Sequence, residues 1–104
     1  MNPNALTAGL RPTHPGEILR EDILPALGRK KTEIASLLGV SRQTVYDILG
    51  ERQNITPGMA LRIGKLTGSR PELWLNLQHA FDLRLAEAEY SEALKRIPTL
   101  TTPN

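Results

Sequence analysis

The sequence predicts an all-α fold, a compact bundle of five helices within 104 residues. Three observations predict it. Apolar residues recur at three- and four-residue spacing through most of the chain, the period of a helix with one buried face. Several of these stretches open on a Ser or Thr, often with proline next, and close on glycine, the natural punctuation of helix starts and stops. No stretch alternates apolar and polar residues as a strand would.

Residues 1–13 hold two prolines and little periodicity and are expected to form a flexible amino-terminal arm. Helix 1 follows, capped by Thr13 or His14, with Pro15 in its first turn and Glu17 at its positive end. Its apolar stripe is Ile18, Leu19, Ile23 and Leu24; Pro25 is expected to end the regular run and Gly28 to turn the chain. Helix 2 runs from about Lys30 to Leu38, with Ile34, Leu37 and Leu38 apolar, and stops at Gly39. Ser41 is a good cap for helix 3, about Arg42 to Leu49. A polar loop, residues 50–55, leads to Thr56-Pro57 and helix 4, which turns Met59, Ala60, Ile63 and Leu66 inward. Ser69 is expected to cap helix 5, whose stripe is Leu73, Trp74, Leu77, Phe81 and Leu85. Trp74 and Phe81 read as core, with a dimer interface as the alternative. Residues 86–97 read as a helical extension, either more of helix 5 or a sixth helix, and 98–104 as a disordered tail. The folded domain is therefore placed at residues 14–85.

Composition sets limits. The net charge is +2, and residues 29–54 carry five cations against three acids, so any basic footprint must come from placement. There is no cysteine, and the two histidines stand far apart; no metal site, cofactor or catalytic residue is expected. His14 reads as a cap, and His79 is assigned no chemistry. No apolar run reaches the roughly 18 residues of a membrane span, and the polar start lacks a signal-peptide core. The chain therefore reads as a cytoplasmic protein without membrane contact. Glu17, Glu21 and Asp22 cluster on helix 1 and read as a solvated face or an acidic contact for a basic partner.

The stretch Lys31 to Ile48 carries the functional signal. Ala35 stands four residues before Gly39, Val40 follows the glycine, and Val45 and Ile48 lie on the next turns. Two helices joined at a steep angle by a short turn need a small residue at the crossing and a residue tolerant of positive φ in the turn. This is the spacing of a DNA-binding helix-turn-helix, with an ordinary helical hairpin as the plain alternative. In such a motif the second helix presents its first residues to base edges in the major groove. The expected base-contacting residues are Arg42, Gln43, Tyr46 and Asp47. Arginine suits guanine and glutamine suits adenine, each through two bonds; Asp47, an acid near phosphate, is better suited to orienting Arg42 or Arg52. Phosphate contacts are expected from Lys30, Lys31 and Thr32 at the start of helix 2, and from Ser41, Thr44, Arg52 and Asn54. So small a module reads few bases, which argues for a homodimer on palindromic operator DNA.

Three blocks together resemble one family: HPGEILREDILPALG (14–28), ASLLGVSRQTVYDIL (35–49) and ITPGMALRIGKLTGSRPELWLNLQHAFDL (55–83). They are similar to the HigA antitoxins, also called virulence-associated-protein-I-like, of the Xre/lambda-repressor-like helix-turn-helix superfamily. The HPGE start and the segment holding Pro71, Glu72, Trp74 and Gln78 are the most specific parts. The resemblance implies a lambda-repressor-like bundle, a dimer that represses its own operon, and a cognate toxin protein, a HigB/RelE-like ribosome-dependent mRNA endonuclease. One departure stands out. Where the family usually caps helix 2 with Ser, this chain has Lys30, at a cost of about 0.5–2 kcal/mol unless phosphate or Thr32 compensates. Two other readings stay open: a stand-alone or phage-type regulator without a toxin, and an interaction bundle that no longer binds DNA.

Overall fold

The computed structural model describes residues 12–103, and these contain helices and no strand. The arm expected over residues 1–13 lies, save its last two residues, outside the described ones. Helix α1 is built from three continuous pieces: α-helix over Pro15–Ile18, a π-helical turn over Leu19–Ile23, and α-helix again over Leu24–Leu27. Then come α2 (Lys31–Leu38), α3 (Arg42–Leu49), α4 (Pro57–Thr67), α5 (Pro71–Glu89) and α6 (Ser91–Lys95). The extension over 86–97 thus divides between the end of α5 and a separate short α6, and residues 98–103 have no regular structure.

Pro25 does not end helix 1. A proline inside a helix removes one N–H and pushes its ring against the carbonyl four residues earlier. Here the preceding turn is widened, so that Leu24 N–H bonds to Leu19 O, five residues back. Pro25 then stands in the first turn of a fresh α-helical piece, where a missing N–H costs nothing. Gly28 closes α1 in the left-handed conformation, as the sequence suggests.

One core holds the bundle. Leu19, Ile34, Ala35, Leu38, Val45, Ile48, Leu49, Ile55, Met59, Ala60, Ile63 and Trp74 are all buried. Ala35 is 1% exposed, as a small residue at the α2–α3 crossing should be. Gly39 holds the turn at φ 73°, and the next amide, Val40 N–H, reaches back to Ala35 O at 3.1 Å. Expected core residues Leu37, Leu73 and Leu85 are instead exposed. In α2 the buried face is Ile34, Ala35 and Leu38, and Leu37 lies to its side. In α5 the body covers Trp74 and Gln78, each four residues apart on one face. Leu73 lies off that face, and Leu85 lies in the stretch from Leu83 onward where nearly every residue is exposed.

Ser69 does not cap α5 either. The cap position is Arg70, which makes no side-chain cap bond. Ser69 Oγ instead accepts from Trp74 Nε1 at 2.8 Å and bonds Thr67 Oγ1 at 2.6 Å. A buried indole N–H needs an acceptor, and that need takes the oxygen that would have served the helix start.

Candidate nucleic-acid interface

The second helix of the motif, α3, is fixed at both ends. At its start Ser41 Oγ accepts from Thr44 N–H at 3.0 Å and bonds Thr44 Oγ1 at 2.9 Å, a side-chain cap as predicted. At its end Arg20 Nη1 donates to Leu49 O at 2.7 Å and reaches Glu51 Oε2 at 3.3 Å. Glu51 holds a left-handed φ of 62°, so the chain leaves α3 sharply and brings the carboxylate to Arg20. The hydrogen bond to Glu21, aided by the one to Glu51, raises the Arg20 pKa further above its ordinary value.

Behind α3 lies the start of α1. His14 is that helix's cap: its Nδ1 accepts Gly16 N–H at 2.9 Å. The ring is 1% exposed and meets Phe81 edge-on at 4.9 Å. A Cβ on Gly16 would collide with the backbone oxygen of Ile48. The HPGE segment therefore seats the first turn of α1 directly on the backbone of α3, with no side chain between.

The first helix of the motif differs at its start. Lys30 occupies the cap position of α2 and makes no side-chain cap bond. Arg29, Lys30, Lys31 and Thr32 are all exposed there. Lys31 Nζ lies 5.9 Å from the centre of the Tyr46 ring, within reach of a cation–π attraction. The end of α2 is held from α4, where Arg62 Nη1 donates to Leu38 O at 2.7 Å.

The structure brings most of the predicted residues together. Arg42, Gln43 and Tyr46 are exposed on α3, and Asp47 is half-buried beside them. Thr32, Ser41 and Arg42 line one open cleft between α2 and α3, together with Ser36. Asp47 orients Arg52, as one of the two sequence-based alternatives had it: the Arg52 guanidinium lies 3.2 Å from Asp47 Oδ1. Asn54 is tied elsewhere, its Oδ1 accepting from Gln78 Nε2 at 3.1 Å. The sequence marks Gln78 only as part of the family-specific segment and gives it no structural role. It is 2% exposed, and its Oε1 accepts Ile55 N–H at 2.8 Å while Nε2 also donates to Asp82 at 3.0 Å. The available signal was a polar residue one helical turn after Trp74 on an otherwise apolar face. Arg20 was missed, hidden among the acids of α1.

No protein-family model matches the chain. Curated relatives do. Virulence-associated protein I of Dichelobacter nodosus is 39% identical over 88 residues, covering 85% of this chain and 82% of that protein. Antitoxin HigA-1 of Vibrio cholerae is 33% identical over 90 residues, covering 86% and 85% respectively. The chain belongs to the HigA family of helix-turn-helix antitoxins. Solved structures agree with the HigA assignment. Antitoxin GraA in complex with its operator superposes with a TM-score of 0.82 at 44% identity, over 90% of this chain and 96% of that one. Pseudomonas aeruginosa antitoxin HigA with higBA promoter gives 0.83 at 36% identity, over 88% and 100%. Within this HigA-family fold, no helix of the described residues is long and apolar enough to cross a membrane, and no group of three His, Asp or Glu among them could hold a metal ion.

Proposed function

We propose that this HigA-family chain is an antitoxin that binds palindromic operator DNA as a homodimer, represses its own operon and neutralises a cognate toxin protein. The observation that carries the DNA-binding part is the pairing of an exposed polar α3 face with the uncapped, cation-flanked start of α2. A helix start with free N–H groups favours an anion, and the α3 side chains beside it offer the donors and acceptors that base edges require. Arg42, Gln43 and Tyr46 are assigned to bases, and Lys30, Lys31, Thr32, Ser41 and Thr44 to phosphates. Arg52 and Asn54, in the loop after α3, are each engaged within the protein, Arg52 with Asp47 and Asn54 with Gln78. The toxin part rests on family membership, since the relatives include proteins named as antitoxins. The role needs no catalytic group and no cofactor.

Replacing Arg42 and Gln43 together by Ala should abolish specific operator binding while leaving the fold and dimer intact. An unchanged gel shift on the chain's own promoter at physiological salt would refute the assignment. Affinity should fall steeply with salt, with a log–log slope of about −0.9 per phosphate neutralised; a slope near zero would favour an interaction bundle. Co-purification with the product of the neighbouring gene tests the toxin. Its absence would favour a stand-alone regulator.

A further inference from the structure

The exposed face of α3 contains a small network that bears on what the proposed DNA contact reads. Asp47 Oδ1 accepts from Gln43 Nε2 at 2.8 Å and from Arg52 Nε at 3.3 Å. Arg52 Nη2 also donates to Tyr46 O at 3.3 Å, so its guanidinium is folded back across the end of α3. Gly50 permits that path: a Cβ there would collide with the Arg52 guanidinium.

A carboxylate oxygen only accepts, so Gln43 must turn its nitrogen, and not its oxygen, toward Asp47. The terminal torsion of a glutamine is otherwise broad and roughly two-fold, and a free amide can offer either end to a base. Held by Asp47, it keeps one N–H and its carbonyl oxygen for the groove. That donor–acceptor pair matches adenine, which presents N7 as acceptor and its N6 amino group as donor. Guanine sets two acceptors, N7 and O6, against it, and one of them faces the Gln43 oxygen.

We propose that Asp47 is a positioning residue that fixes Gln43 as an adenine reader, and that Arg52, lodged over Gly50, fixes Asp47. The proposal rests on the reading that α3 enters the major groove. Asp47 itself touches no base. Its carboxylate is spent inside the protein, which also keeps an acid away from the phosphates.

The test uses the full chain and a pool of duplexes with randomised palindromic half-sites, sequencing the bound fraction. The wild type should select adenine at one position per half-site by roughly ten- to a hundredfold, the discrimination of one bidentate contact. Gln43→Ala should lose that preference. Asp47→Ala should lose most of it while still binding DNA, because the amide is then free to turn. Asp47→Asn keeps an acceptor oxygen, which the Arg52 donor holds toward Gln43, and should retain most of the preference although the charge is gone; a merely electrostatic role would not be rescued this way. Gly50→Ala changes no charge and, with Gly50 at an ordinary φ of −84°, should only dislodge Arg52 and weaken the preference in part. If Asp47→Ala selects adenine as strongly as the wild type, the proposal is overturned. It is also overturned if specific binding persists with no adenine position that depends on Gln43. If the wild type enriches no sequence even at low salt, it is the major-groove reading itself that fails.

Discussion

The two helix starts of the helix-turn-helix are built in opposite ways. At α3 the chain closes the start itself, with Ser41 on the Thr44 amide. At α2 the start stays open, with Lys30 where a capping oxygen would stand and Arg29 and Lys31 on either side. The two helix ends, by contrast, are alike: an arginine from another helix holds the last carbonyl in each case, Arg62 at Leu38 and Arg20 at Leu49. The difference teaches a division of labour. The reading helix is finished before DNA arrives, so its side chains start from one geometry. On the proposed reading, the helix that crosses the backbone leaves its amides for phosphate, at the cost of a side-chain cap in the free protein.

The contrast can be broken most severely from behind. Gly16→Ala places a methyl group against the Ile48 carbonyl and forces α1 and α3 apart; overpacking of this kind costs about 1–3 kcal/mol. Thermal denaturation should show the loss, and operator affinity should fall with it although no DNA-facing residue has changed. Ser41→Ala removes the cap that defines one side of the contrast and should cost about 0.5–2 kcal/mol, seen as a lower denaturant midpoint with an unchanged m-value. Lys30→Ser makes the two starts alike and has the smallest effect on stability, with the opposite sign. The free protein should gain about 0.5–1 kcal/mol from a new cap, while the salt dependence of operator binding loses roughly one unit of slope. A Lys30→Ser variant with unaltered slope would show that the Lys30 charge does not neutralise a phosphate.

The features that local chemistry decides were legible in the sequence. Prolines at helix starts, Ser41 and Thr56 as caps, and Gly39 in the turn each act within a few residues of where they stand. The exposed face of α3 was legible too, because its spacing alone separates Arg42, Gln43 and Tyr46 from buried Val45 and Ile48. What escaped depends on partners distant in sequence. Arg20 reaches across 29 residues to Leu49. The π-helical turn beside it reconciles Pro25 with a continuing helix, and no local signal marks that outcome. Ser69 looked like a cap until Trp74 needed its oxygen. The apolar stripe of α5 was over-read because three- and four-residue spacing shows that a helix has a face, but not how far along its length other helices cover it.

Gln78 has a consequence for how this protein can diversify. Its amide oxygen holds Ile55, and its nitrogen divides between Asn54 and Asp82. The loop after α3 is thereby moored at a fixed distance from α5, and an inserted or deleted residue there would pull the mooring loose. A glutamate in its place would bring lone pairs against Asp82 with no proton to share. New operator preferences should therefore arise by exchanging side chains at 42, 43 and 46 on an unchanging frame, and lineages should differ in the letters of that loop but rarely in its length.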